Sequence, residues 1–208
     1  MRKILLFDMD GTLTDSMPVY ASAIEGVLRE DGGEIPEGLV TRTATMTVEE
    51  VLDTLLSLGC KGDRASLAAR LDMRALYAEK VPLKPGVKTF LEKKKSEGCR
   101  LLVITGSPHA CADPCLRRNG VLPLFDHVYT TSDFDAPKYL PGIYLAICDL
   151  QGFSPADVTF FDDNARALAA ARSAGMEAIG VADAANSGEE DAVRAAADSY
   201  IESFADLI

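Results

Sequence analysis

The sequence predicts an α/β fold, a doubly wound parallel sheet with a small all-helical domain inserted near its N-terminus. Short apolar runs without alternation, the first at residues 4–7, are typical of strands buried in a parallel sheet. From residue 85 onward such runs alternate with helical segments, which is the pattern of a doubly wound sheet. Residues 17–82 show helical periodicity and no convincing strand. We therefore expect an α/β core of residues 1–16 and 83–208 and a helical cap of residues 17–82.

The periodicity of apolar residues places the individual elements. In the cap it predicts three helices, in residues 21–28, 48–58 and 65–77, with Thr47 in a sequence that resembles a capping box. In the core, Ser107 is the expected N-cap of a helix whose first residue is Pro108. That helix lies between the predicted strands 100–104 and 127–130. The other predicted core segments are helix 86–97, helix 141–151, strand 158–161, helix 166–174, strand 177–181 and helix 189–197, after which residues 199–201 and a turn close the chain.

Composition narrows the class of protein. The chain has 208 residues, of which 48% are hydrophobic, so it can bury a substantial core. Its formal net charge is −11, and no lysine or arginine stripe is present, which argues against nucleic acid as a partner. An anionic substrate would therefore need local positive charge from a metal, a lysine or a helix N-terminus.

Cysteine usage and hydropathy predict the compartment. The five cysteines are odd in number and scattered, which argues against a disulfide framework, and Cys111 and Cys115 lack the second pair of ligands that a zinc site needs. The sequence shows no signal peptide before the first strand and no apolar run of membrane-spanning length. We expect a cytoplasmic protein with no membrane partner.

Two carboxylates, Asp8 and Asp10, lie in a glycine-containing turn directly after the first predicted strand. Ligands of open α/β sheets bind in the crevice at the carboxyl ends of the strands. Two carboxylates this close repel unless a cation lies between them or one is protonated, and Mg²⁺ is a hard cation that prefers oxygen ligands. Taken alone, the turn could equally be an acidic turn, since Asp and Gly are common turn residues.

Three more strand ends carry polar groups, and each has a simple structural explanation. Thr105, followed by Gly106, could satisfy backbone at a strand end, Lys138 could be a solvated loop lysine, and the pair Asp162 and Asp163 could cap the next helix. If the strands are parallel, however, all these groups and the first turn meet at one edge of the sheet. Together they predict a site for phosphoryl transfer, in which the helix N-terminus after Thr105 helps to bind phosphate.

The segment Asp8-x-Asp10-Gly11-Thr12-Leu13, together with Thr105, Lys138 and Asp162-Asp163, resembles the four motifs of the haloacid dehalogenase superfamily of phosphohydrolases. The resemblance covers essentially the whole chain. It implies a Rossmann-like core, a cap inserted after the first motif, Mg²⁺ as cofactor and kinship with the branch that contains phosphoglycolate phosphatase and β-phosphoglucomutase.

The resemblance also implies a role for each acidic residue. Asp8 would be the nucleophile that forms an aspartyl-phosphate. Asp10 would be the general acid and then the general base, with its main-chain carbonyl on Mg²⁺. Asp8 and Asp163 would bind the metal directly. Asp162 would act on the metal indirectly, either through a bridging water or by supporting the residues that bind it.

Thr105, Gly106 and Lys138 would bind the transferring phosphoryl group, and Lys138 would also keep Asp8 ionised. The sequence departs from the family pattern at one point, because Tyr139 follows Lys138 where a proline is usual. We expect the lysine to reach the site all the same.

The residue at position 10 selects the chemistry. Dehalogenases lack a carboxylate there and the related cation-pumping ATPases carry threonine, so Asp10 predicts hydrolysis of a phosphate ester or phosphomutase chemistry. The cap would close over the core through hinges near residues 15–18 and 81–84. Its residues Arg42, Thr43 and Thr45 could face the substrate, although Arg42 could equally be a solvated loop arginine.

Several questions stay open at this level. The expected substrate is a small phosphorylated metabolite, with sugar phosphates, phosphoglycolate and nucleoside monophosphates all possible. A β-phosphoglucomutase-like mutase is the alternative enzyme, and a non-catalytic metabolite-binding module would require a broken site, whereas every chemical position is filled. We expect a monomer or a weak homodimer.

Overall fold

A computed structural model describes residues 4–43, 46, 48–186 and 188–208. Its centre is one sheet of six parallel strands in the order β3-β2-β1-β4-β5-β6, so the first strand lies in the middle and the chain winds outward in both directions. The predicted doubly wound α/β fold is thereby confirmed. The strands are β1 Ile4–Phe7, β2 Arg100–Thr105, β3 His127–Thr130, β4 Val158–Asp162, β5 Glu177–Val181 and β6 Ser199–Ile201.

Helices cover both faces of this sheet and also form a block in the segment predicted as the cap. Between β1 and β2 lie α1 Met17–Asp31, α2 Leu39–Thr43, α3 Val48–Ser57, α4 Arg64–Leu71, α5 Met73–Glu79 and α6 Val87–Ser96. Helices α1 to α5 make up this block, hereafter the inserted block. The other helices are α7 His109–Arg118, α8 Pro141–Gln151, α9 Ala165–Ser173 and α10 Glu190–Ala196. No helix within the described ranges is long and apolar enough to cross a membrane, and the cytoplasmic location stays a prediction.

The alternation of side chains along β1 separates two hydrophobic layers. Leu5 and Phe7 point into a cluster that α6 and α7 cover, whereas Ile4 and Leu6 point into a second cluster that α8, α9 and α10 cover. All four residues are buried, because a central parallel strand is covered on both faces. The central strand β1 is thus held from both sides, while Met9 and Leu13 of the following turn pack into the first of these clusters.

A third cluster lies within the inserted block and extends from Ile24 to Leu71. Helix α5 is different, since Tyr77 and the following Val81 belong to the core cluster of α6 and α7. The two chain segments that join the block to the core are themselves paired, through an antiparallel bridge between Thr14 and Leu83. The division at residues 17 and 82 stays a prediction, and packing associates α5 with the core.

The local predictions omit α2 and fail at two further points. Residues 65–77 do not form one helix, because the chain breaks at Asp72, whose carboxylate accepts from the backbone N–H of Ala75 at 3.1 Å and so caps α5. Ser107 is not the N-cap of α7, since Pro108 is the flanking residue, in an extended conformation, and the Ser107 hydroxyl turns to Asp10 instead. The predicted capping residue Thr47 lies outside the described residues.

Candidate active site

The turn after β1 is tight and depends on Gly11. Gly11 has φ +79°, a left-handed conformation, and its N–H donates to the carbonyl of Thr14 at 2.9 Å. A Cβ at this position would lie 2.5 Å from Oδ2 of Asp163. The glycine therefore serves both the backbone conformation and the close approach of the turn to the end of β4.

Three buried aspartates meet at the ends of β1 and β4. Asp8, Asp162 and Asp163 are 3%, 0% and 7% exposed, and one carboxylate oxygen from each lies within 4.8 Å of the other two. β1 and β4 are adjacent and in register, with Phe7 opposite Phe161, so the residues that follow these two come together directly. The ends of β1 and β4 therefore meet in the structure, as parallel strands predict.

Burial shifts the protonation of this cluster. Loss of solvation raises the pKa of Asp8 well above its usual value, and the neighbouring carboxylates add to that rise while Lys138 opposes it. Burial and the charge of Asp162 raise the pKa of Asp163 to about 7. A buried set of carboxylate oxygens with excess negative charge is the donor set that Mg²⁺ prefers, so the residues present fit that ion.

Lys138 reaches the cluster from the loop before α8. Its Nζ forms ion pairs with Oδ1 of Asp8 and, at 3.0 Å, with Oδ2 of Asp162. Burial lowers the pKa of Lys138, but these two carboxylates outweigh that effect and raise it well above the usual value. Tyr139, which stands where proline is usual, stacks against the guanidinium of Arg166 at 4.2 Å. The unusual residue therefore does not keep the lysine from the site.

Asp10 lies apart from the three-carboxylate cluster and accepts from three hydroxyl groups. The Tyr77 hydroxyl donates to Oδ1 at 2.7 Å, and the hydroxyls of Ser107 and Thr105 donate to Oδ2 at 2.7 and 3.3 Å. Thr105 Oγ1 also accepts from the N–H of Ser107 at 3.0 Å, which ties the loop around Gly106 to the end of β2.

Asp163 has fixed partners of its own on the far side of the cluster. Its carboxylate accepts from the hydroxyl of Thr12 at 3.1 Å and from the side-chain amide of Asn186. Nearby, the partly buried Lys84 pairs with Asp183 at 2.6 Å and donates to the carbonyl oxygens of Gly11 and, at 2.7 Å, Ala182. The middle of the first turn, at Gly11 and Thr12, is thus held by side chains from distant segments.

Sequence reasoning missed Tyr77, Ser107, Lys84 and Asn186 as parts of this site. For Ser107 a usable signal existed, because it lies two residues beyond Thr105 at a strand end. Tyr77 carried no such signal, since it lies in the inserted block, 67 residues from Asp10 in the chain.

The cap residues expected to face the substrate are placed as follows. Thr43 is buried at the end of α2, where its hydroxyl donates to the carbonyls of Leu39 and Val40 at 3.0 and 3.1 Å in its own helix rather than to the acidic cluster. Arg42 is exposed in the same helix, and Thr45 lies outside the described residues. Their role in specificity stays a prediction.

Comparison with known proteins gives consistent matches across the chain. Residues 2–175 match the family described as haloacid dehalogenase-like hydrolase. A "Phosphorylated carbohydrates phosphatase" of Thermotoga maritima is 31% identical over 189 residues, which is 89% of this chain and 88% of that protein. A "Phosphoglycolate phosphatase" of Mannheimia succiniciproducens is 30% identical over 190 residues, 86% of this chain and 85% of its own length.

Solved structures agree with these relatives. A candidate β-phosphoglucomutase from Thermotoga maritima superposes with a TM-score of 0.82 at 29% identity, covering 96% of this chain and 94% of that one. CbbY from Rhodobacter sphaeroides, in complex with phosphate, gives a TM-score of 0.79 at 25% identity, covering 100% and 96%.

Proposed function

The chain belongs to the haloacid dehalogenase-like hydrolase family and is a phosphoric monoester hydrolase, and from that premise we propose that it is a Mg²⁺-dependent phosphatase that hydrolyses a small phosphorylated metabolite through an aspartyl-phosphate. One observation carries the proposal. The carboxylates of Asp8, Asp162 and Asp163 are buried within 4.8 Å of one another, and Lys138 is the cation that contacts two of them. Such a set of charges favours phosphoryl transfer, which depends mainly on positioning and electrostatics.

Asp8 is the proposed nucleophile. One of its carboxylate oxygens attacks phosphorus, the ester P–O bond breaks, and the electron pair stays on the leaving oxygen. The ion pair with Lys138 favours the ionised carboxylate that this attack requires, against the burial that raises the Asp8 pKa. Mg²⁺, held by Asp8, Asp163 and the main-chain carbonyl of Asp10 with Asp162 in support, would neutralise phosphoryl charge and further favour the ionised Asp8.

Asp10 is the proposed proton carrier. It gives its proton to the leaving oxygen in the first step, and the departing group leaves as an alcohol. In the second step the ionised Asp10 takes a proton from the water that attacks phosphorus, so that phosphate is released and Asp8 is restored. Thr105, Gly106 and Lys138 would hold the phosphoryl oxygens during both steps.

The substrate class rests on the relatives and on the cap. The two relatives above are described as phosphatases of phosphorylated carbohydrates and of phosphoglycolate, which supports a small phosphorylated metabolite. A block of helices inserted next to the nucleophile turn is suited to enclosing such a substrate and excluding water. The same proposal includes the division into core and cap and a monomeric or weakly dimeric state. It also includes a role in specificity for Arg42, Thr43 and Thr45.

A phosphomutase of the β-phosphoglucomutase type is the second candidate, because a candidate member of that group matches at a TM-score of 0.82. A mutase uses the same nucleophile and the same proton carrier. It differs in returning the phosphoryl group to a second hydroxyl of the substrate rather than to water.

The experiment is a screen for phosphate release from phosphorylated sugars, phosphoglycolate and nucleoside monophosphates, with Mg²⁺ and with chelator. We expect Mg²⁺-dependent release from at least one of them and none from the Asp8→Asn variant. Isomerisation of a sugar phosphate that needs catalytic bisphosphate and releases little phosphate would identify a mutase. Tight binding of one compound with no turnover would contradict catalysis and indicate a binding module.

A further inference from the structure

We propose that Tyr77 is a positioning residue for Asp10, the proton carrier of the proposed reaction. Tyr77 comes from the inserted block, yet its hydroxyl lies 2.7 Å from Oδ1 of Asp10. The inference rests on the proposed function, because it assigns Tyr77 a role in the transfer of a proton to the leaving group.

The contacts of Asp10 restrict its carboxylate from both sides. Tyr77 donates to Oδ1, while Ser107 donates to Oδ2 at 2.7 Å and Thr105 donates to the same oxygen at 3.3 Å. Rotation of the carboxylate would break hydrogen bonds on both oxygens at once. Burial and the nearby Asp10 raise the pKa of Tyr77, so its phenol keeps the proton that it donates.

Tyr77 is itself held by the core. It is 8% exposed and packs in the same hydrophobic cluster as α6 and α7. Four residues later, the carbonyl of Val81 accepts from the Arg118 guanidinium, from the side-chain amide of Asn119 at 3.1 Å and from the Cys115 thiol at 3.8 Å. Both the ring and the segment after α5 are therefore fixed to α7.

This arrangement distinguishes α5 from the rest of the inserted block. The buried residues of α1 to α4 form their own cluster and only the partly buried Val19 of α1 packs against the core, whereas the buried Tyr77 of α5 belongs to the core cluster. We infer that the Tyr77 hydroxyl remains on Asp10 whatever α1 to α4 do, so that the proton carrier is oriented before the substrate arrives. A group placed in advance loses no reorganisation energy during the reaction.

The test uses the dependence of rate on the leaving group. Proton donation matters most for an alkoxide, a poor leaving group, and least for 4-nitrophenolate, a good one. For Tyr77→Phe we expect kcat/KM to fall about tenfold with benzyl phosphate and less than about twofold with 4-nitrophenyl phosphate, since one hydrogen bond to a charged group is lost. A purely structural role would lower both values by the same factor.

The matched control is Tyr129→Phe. Tyr129 is also a buried tyrosine, and its hydroxyl accepts from the amide of Gln151 at 2.6 Å in the other hydrophobic layer. We expect this variant to leave the ratio of the two kcat/KM values unchanged. Thermal unfolding of both variants, measured with the kinetics, establishes that each is folded at the assay temperature.

Ser107→Ala is the second variant, because it removes the nearer of the two donors to the other oxygen of Asp10 and keeps Tyr77. It should also reduce kcat/KM more with benzyl phosphate than with 4-nitrophenyl phosphate. Equal losses with both esters in Tyr77→Phe, or a rise in activity, would overturn the inference while leaving the phosphatase proposal intact. Wild-type protein that releases phosphate from neither ester nor any metabolite would instead contradict the proposed function.

Discussion

Two partly buried lysines, Lys138 and Lys84, contact the turn that follows β1, and their partners differ. Lys138 pairs with two carboxylates, Asp8 and Asp162. Lys84 pairs with one carboxylate, Asp183, and donates to the backbone carbonyls of Gly11 and Ala182. Both side chains are largely buried, so each cation needs its partners to offset the loss of solvation.

The difference shows which lysine can take part in chemistry. Every partner of Lys84 is a fixed structural group, and its contacts join the first turn to the end of β5. Lys138 contacts Asp8, whose pKa stays raised even with the lysine beside it, because burial and three other carboxylates act against ionisation. A cation in such a cluster can balance charge that a phosphoryl group brings, whereas Lys84 has its charge already balanced by structure.

The two aspartates give the largest contrast. Asp8→Asn removes the proposed nucleophile and should reduce kcat by about 10⁴-fold or more. Asp183→Asn removes a buried carboxylate with its own lysine partner, and we expect it to retain most of the turnover of the folded enzyme. Mg²⁺-dependent phosphate release measures both. Substantial turnover by the Asp8 variant would rule out the covalent mechanism.

Replacement of each lysine by methionine should give the next largest difference in kcat/KM. Lys138→Met removes the cation beside the nucleophile, and we expect kcat/KM to fall by about 10²- to 10³-fold because charge stabilisation at the phosphoryl group is lost. Lys84→Met should change kcat/KM by less than about tenfold when assayed below its unfolding temperature, since Lys84 contacts no proposed reacting group. Equal kinetic losses in the two variants would abolish the distinction.

The raised pKa of Asp163, about 7, predicts how pH and Mg²⁺ act together. The native metal-free protein keeps this proton up to about pH 7, whereas the unfolded chain releases it near pH 3.9. The native state thus binds more protons, so this group's contribution to stability is fully present below about pH 4 and is lost as pH rises towards 7.

Mg²⁺ should reverse that loss, because it binds the ionised carboxylate. Below pH 7 its apparent affinity should fall by about tenfold per pH unit, since the metal must displace the proton. Thermal unfolding should show a larger rise in Tm with Mg²⁺ at pH 8 than at pH 5.5. The Asp163→Asn variant should lose most of this difference, and an equal Mg²⁺ effect at both pH values would contradict the proposed ligand.

Lys84→Met, which should change kcat/KM least, should lower the stability of the fold clearly. Lys84→Met leaves Asp183 without its cation, and breaking a buried pair costs about 3 kcal/mol, or about 6–12 °C in Tm for a domain of this size. Arg64→Met is the matched control, since its ion pair with Asp53 in the cap is more than half exposed, and it should leave Tm unchanged within error. A similar Tm for Lys84→Met and wild type would show that the lysine is dispensable to the fold.

The strand ends were the most predictable part of the molecule. Apolar runs placed β1, β2 and β4, and the polar residues at their carboxyl ends, Asp8, Thr105 and the pair at 162–163, lie at one edge of the sheet in the structure. Prediction succeeded there because parallel pairing brings carboxyl ends together whatever the details of packing. Local signals failed where a second partner competed for the group, as for the Ser107 hydroxyl, which bonds to Asp10 instead of capping α7.

By itself, the sequence determined the fold class, the order of the strands' chemical groups and the family resemblance, because these depend on residue periodicity and on motifs a few residues long. Only the tertiary structure decided that α5 packs on the core, that Tyr77 contacts Asp10 and that Lys84 binds the first turn. Those contacts join residues far apart in the chain, and they form only when hydrophobic layers and hydrogen-bond donors from separate elements meet. The local propensity of a residue does not indicate which distant residues it will contact.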